Sequence, residues 1–207
     1  MSRWPDSEAT YVEKAIERAG LLPVLAAHRA GDLAAVSALQ SMWGAADLLL
    51  LGAIADIVRA EDCGAAVSIH EQHGGLHGAD VLWVAPVRGA SELDILRAVA
   101  TARVAGTRLL RVGVDWSQCG MELAQVALAF GASDLRGPIT RKSGLPIYEA
   151  ETKKVKGQGM VELRSIKKRE IAALVTHAGR LPVFVDDEDA PRARESVLEI
   201  NEVSSNV

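Results

Sequence analysis

The chain has 207 residues, 49% of them hydrophobic, and a net charge of −4, which suits one domain or a domain with a small cap. Its basic residues are scattered, so no electrostatic footprint for nucleic acid covers the chain. Its two cysteines, Cys63 and Cys119, form no CxxC pair, which excludes a disulfide framework and a cysteine zinc site.

Helical signals fill residues 1–60, read as a helical cap. Ser7 suits the N-cap of a helix carrying Tyr11, Ala15 and Ile16 that stops at Gly20. A second helix is predicted from Pro23 to Gly31, and Asp32 would cap a third bearing Leu33, Val36 and Leu39. The run "AADLLLLGAIADIVRA" is apolar nearly all round, which implies a helix buried on several sides. Its longest apolar stretch, Leu48 to Val58, is interrupted by Asp56 and falls well short of the roughly 20 residues of a membrane span. The opening "MSRWPDSEA" has no export pattern, so a cytoplasmic protein is expected.

After Cys63 the pattern changes to residues 61–186, read as an α/β domain with a C-terminal arm. "AAVSI", "DVLWVAPV" and "RLLRVGVDW" are short and apolar, as parallel strands buried on both faces are. "SELDILRAVATARV" is a helix capped by Ser91, with Leu93, Leu96, Ala100 and Val104 on one face and Arg97 and Arg103 elsewhere. "GMELAQVALAFG" is a second helix, closed by Gly131. Alternation of strand and helix argues for an α/β layer or part of a barrel. Gly137 to Gly159 reads as an extended loop or arm, "SIKKREIAALVTHAG" as a helix and "RLPVFV" as a strand or extended segment. The basic run Lys153 to Lys156 and Arg164 to Arg169 is interleaved with acidic residues and reads as a solvated face. Residues 187–207 are charged and read as a flexible tail or a segment that folds on a partner.

Two groups of side chains carry candidate chemistry. His70, His73 and His77 follow the first strand, and imidazole ligates zinc, iron or nickel; coiled helically, HxxHxxxH would converge on one ion with Glu71 close by. Gly74, Gly75 and Gly78 oppose that helix, which favours the plainer reading of a polar turn joining two strands. Asp115 and Trp116 end a strand, at the carboxyl edge where parallel folds gather ligand groups, and Asp134 follows the next helix. These three are candidates for binding a small polar ligand; the competing reading has Asp134 capping a turn and Trp116 filling the core. Cys119 stands in a helical first turn, where the dipole lowers a thiol pKa, or is a small buried residue.

Four collinear segments, "ADLLLLGAIADIVRA", "ELDILRAVATARV", "GVDWSQCGMELAQVALAFGASDLRGPI" and "KKREIAALVTHAGRLPVFVDD", resemble the radical S-adenosylmethionine enzymes that include aminofutalosine synthase and dehypoxanthine futalosine cyclase. The resemblance implies a partial TIM-type (β/α) barrel with the helical cap in front and the C-terminal helical arm behind, and a place in or near menaquinone biosynthesis by the futalosine pathway. That family holds an iron–sulfur cluster through three closely spaced cysteines. This chain lacks the trio, so neither cluster nor radical chemistry is expected, and no other cofactor beyond a divalent metal at the histidines. Between "AAVSI" and "DVLWVAPV" there is space for a loop only, where the resemblance calls for several strand and helix pairs. Such a partial barrel would expose strand edges and an apolar inner face, to be covered by the cap, the arm or another subunit. The expectation is therefore a non-radical accessory or ligand-binding protein, a homodimer or other homo-oligomer, or one docked on a full-length family enzyme. Its rival is a metal-dependent enzyme using His70, His73 and His77.

Overall fold

The computed structural model describes residues 6–71, 81–140, 152–155, 159–162, 166–185 and 196–199. His73 and His77 and most of the 187–207 tail lie outside them. Five helices come first: α1 (Asp6–Arg18), α2 (Leu22–Arg29), α3 (Leu33–Ala38), α4 (Gln40–Gly44) and α5 (Leu48–Cys63). Asp32 accepts a hydrogen bond from the Ala35 N–H at 2.9 Å, and Asp47 one from Leu49 at 2.9 Å, so α3 and α5 each start with a side-chain acceptor for an otherwise orphaned donor. Strands β1 (Ala66–Glu71) and β2 (Val81–Ala85) follow, then α6 (Glu92–Ala105), β3 (Arg111–Asp115), α7 (Trp116–Cys119), α8 (Met121–Ala127) and β4 (Asp134–Gly137). The chain continues through a hairpin, β5 (Thr152–Val155) and β6 (Gly159–Glu162), to α9 (Lys168–His177), β7 (Leu181–Phe184) and β8 (Ser196–Glu199).

Six strands form one parallel sheet in the order β7-β1-β4-β3-β2-β8. The fold is α/β: helices in front, a partial barrel-like parallel sheet, and a C-terminal helix and strand. Consecutive strands β2, β3 and β4 are neighbours, β1 lies between β4 and β7, and β7 and β8 stand at the two ends of the order. Three parts differ from the sequence reading, the first being that β5, within the stretch read as an extended loop or arm, pairs with β6. The stretch that opens at Asp134 is a central strand, and Ser196–Glu199 within the charged tail pairs with β2. No described helix is long and apolar enough to cross a membrane.

Strand alternation sorts the side chains into two faces. Val67 and Ile69 of β1, Leu135 of β4, Val112 and Val114 of β3 and Val84 of β2 share one apolar face and are buried. They join one core with Leu51, Ile54, Ala55 and Val58 of α5, Ile95, Val99 and Ala100 of α6 and Leu123 and Ala124 of α8. Each fully buried Ile, Leu or Val contributes about 1.5–3 kcal/mol. Ile16 and Val24 of the first helices lie in the same core. The inward face of α6 is turned from the expected one: Ile95 and Val99 are buried and Leu93 is exposed. Ser91 and Asp94 form a reciprocal capping box at its start.

Arg103, placed away from the core by helical periodicity, is fully buried in it. It donates to the Gly131 carbonyl at 2.9 Å, the Leu110 carbonyl at 2.6 Å and Ser133 Oγ at 2.8 Å, tying α6 to the chain before β3 and β4. A second buried charge cluster links distant parts of the chain. Asp56 of α5 accepts from Arg59 Nε at 2.9 Å and from Arg180 Nη2, whose guanidinium also reaches the Leu128 carbonyl at 3.3 Å.

At the β7 edge, Leu181 N–H donates to Ala65 and Val185 N–H to Ile69. The intervening Pro182 therefore turns its nitrogen outward, where a missing donor costs the sheet nothing. Leu181 and Val183 are exposed, on the face shared with Ala66 and Ser68.

Candidate functional site

The opposite face of the sheet is polar, whereas the sequence reading made it apolar. Ser68 and His70 of β1, Asp134 and Arg136 of β4, Arg111, Gly113 and Asp115 of β3, and Trp83 of β2 alternate with the core residues and share this face. In a closed barrel it would be the interior. The sequence signal is the polar residue at every second position of otherwise apolar strands: S-x-H in β1, R-x-G-x-D in β3 and D-x-R in β4.

Asp134 is the hub. It is wholly buried, and its Oδ1 lies 2.8 Å from His70 Nε2 while Oδ2 accepts from Arg111 Nε at 2.8 Å and Ser133 Oγ at 2.7 Å. Arg111 also donates through Nη2 to Ser68 Oγ at 2.7 Å, which joins β3 to β1 across β4. Burial alone would raise the Asp134 pKa. The hydrogen bond from His70 and the adjacent Arg111 guanidinium outweigh it and hold the carboxyl below its ordinary value. Because an ionised carboxylate only accepts, the His70 nitrogen that faces it, Nε2, is the donor. The His70 side chain is 16% exposed, and among the described residues nothing bonds its Nδ1.

A second pair lies nearer the carboxyl edge. Arg136 Nε donates to Asp115 Oδ2 at 3.3 Å, and Asp115 Oδ1 accepts from the Ser117 N–H at 2.9 Å and Ser117 Oγ at 2.5 Å. The Arg136 guanidinium stands 4.4 Å over the Trp83 ring, and His70 meets that ring edge-on at 5.4 Å. Trp83 rests on Gly113, where a Cβ would come within 2.5 Å of Cζ3. The absent side chain makes room for the indole that joins the two polar clusters.

The structure thus brings Asp115, Asp134 and His70 onto one face and separates Trp116 from them. Trp116 belongs to the core and packs on Gly137, whose added Cβ would lie 2.2 Å from the indole Cε2. Its Nε1 is buried with no hydrogen-bond partner among the described residues. Ser68, Trp83, Arg111 and Arg136 are the members that sequence reasoning did not single out. His73 and His77 lie outside the described residues, among which no group of three His, Cys, Asp or Glu converges as metal ligands. The three-thiolate ligation of an iron–sulfur cluster does not fit the two cysteines of this chain. Two cysteines cannot supply three thiolates, and burial, reinforced by the Asp115 charge, pushes the Cys119 thiol up to about 11, away from thiolate character. No protein-family model and no curated protein matches the chain.

Proposed function

We propose that the protein is a cytoplasmic, cluster-free relative of the futalosine-pathway radical enzymes that binds a small polar ligand on the inner face of its sheet as an accessory protein, alone or with a full-length enzyme of that group. One observation carries this reading: a parallel sheet whose two faces differ completely, one dry and helix-covered, the other lined with two arginines, two aspartates and a histidine. Parallel strands are ordinarily apolar on both faces. Replacing buried ion pairs by apolar residues is commonly neutral or stabilising, so stability alone does not account for such a face. The strand order, with β1 beside β4, supports kinship with a barrel from which intermediate strands are missing. Thermal shift and calorimetry against nucleosides and aromatic acids test the reading. It predicts saturable stabilisation by at least one compound, weakened by Arg111→Met; a flat response across the panel counts against it.

The metal reading keeps one supporting observation. A histidine held through one ring nitrogen by a carboxylate is the usual orientation of a metal-bound imidazole. His73 and His77 would complete the ligand set. Stoichiometric zinc or iron in tag-free protein, lost on His73→Ala, would replace the accessory reading with this one.

A further inference from the structure

We propose that the ligand of the inner face is an uncharged molecule bearing a protic N–H or O–H group, which His70 receives through Nδ1. This rests on the ligand-binding reading and goes further by naming the chemical class. The first support is the orientation of the ring. Asp134 Oδ1, 2.8 Å from Nε2, fixes the tautomer with its proton there, because an ionised carboxylate only accepts. In the neutral imidazole the lone pair then belongs to Nδ1, on a side chain that is 16% exposed. His70 is thereby an acceptor held in place from behind.

The second support is charge balance. Among the described residues, the groups near His70 are Ser68 and Glu71 on its own strand, Asp134 and Arg136 on β4, Arg111 and Asp115 on β3 and Trp83 on β2. Arg111 is matched by Asp134 at 2.8 Å and Arg136 by Asp115 at 3.3 Å. Neither arginine brings unbalanced charge to the face. An anion entering here would break an existing pair or lie beside two carboxylates, and a buried cation would need a partner that both aspartates already have. A neutral donor loses little on desolvation and satisfies His70 Nδ1, which has no partner among the described residues.

The test uses the intact chain, with nitrogen-15 in its histidines. Long-range proton–nitrogen spectra should show a pyridine-type Nδ1 and a pyrrole-type Nε2 for His70. Phenol and benzamide, as uncharged protic probes, should then shift the Nδ1 resonance saturably, and benzoate, an anion of the same size, should not. His70→Leu should weaken phenol binding about fivefold or more, the value of one hydrogen bond, while the fold stays intact by circular dichroism. A pyrrole-type Nδ1, a response to benzoate alone, stoichiometric metal on Nδ1, or no response to either uncharged probe would overturn the proposal. Failure here with saturable binding of a charged compound in the wider panel would remove the ligand class and leave the ligand-binding reading standing.

Discussion

Asp134 is buried and ionised together, and its environment makes a pH prediction with a definite sign. Its folded pKa is lowered, so its stabilising contribution is fully present above the unfolded value of about 3.9 and is lost as pH falls through the lower folded value. Urea midpoints measured from pH 6 down to pH 3 should therefore fall more steeply for the native chain than for Asp134→Asn. At neutral pH that substitution should cost about 1–3 kcal/mol, because Arg111 and His70 lose an ionised acceptor. Asp134 stands out in the sequence as an acidic residue after a helix and His70 as a histidine after a strand, but their pairing does not, nor does Arg111. Arg111 lies 23 residues before Asp134 and His70 lies 64, and only strand pairing brings the three together.

Among the elements, helices were the more legible, because caps and periodicity are local: Asp32 and Ser91 announce helix starts that the hydrogen bonds reproduce. Strand β4 was not legible. Its four residues, Asp134–Gly137, begin with a carboxylate, end with glycine and include an arginine, and it is a strand because β1 and β3 flank it. Register also explains why Gly113 is a glycine. Gly113→Ala should drive the Trp83 ring off its seat and cost about 1–3 kcal/mol by overpacking. Gly44→Ala, where an added Cβ meets nothing within 4 Å, should be near neutral. Denaturation curves and near-ultraviolet circular dichroism of the two variants, side by side, check this. Equal losses would place the cost in the backbone instead of the indole.

Over the whole molecule, the cluster of Asp56, Arg59 and Arg180 ties α5 to the chain leaving α9, 124 residues apart for the Asp56–Arg180 contact. Hydropathy anticipated that α5 is buried, but it offered no hint that a carboxylate within it would hold two arginines. Asp56→Ala should leave both guanidinium groups buried and underpaired, and should cost about 3–5 kcal/mol by urea denaturation. Replacing Asp56 and Arg180 together by apolar residues should recover part of that loss. The two faces of the sheet divide the labour at this scale: helices and core set stability on one side, while the polar side remains free to specialise.

The flank formed by β7 has a consequence for how this protein meets copies of itself. A main-chain edge is a template, and an unprotected one recruits further strands into swapped dimers or fibres. With the imino ring of Pro182 at that rim, one rung of the ladder is missing for an incoming strand. Backbone pairing with a further strand is thereby weakened on this flank, while Leu181 and Val183 stand exposed on the adjoining face.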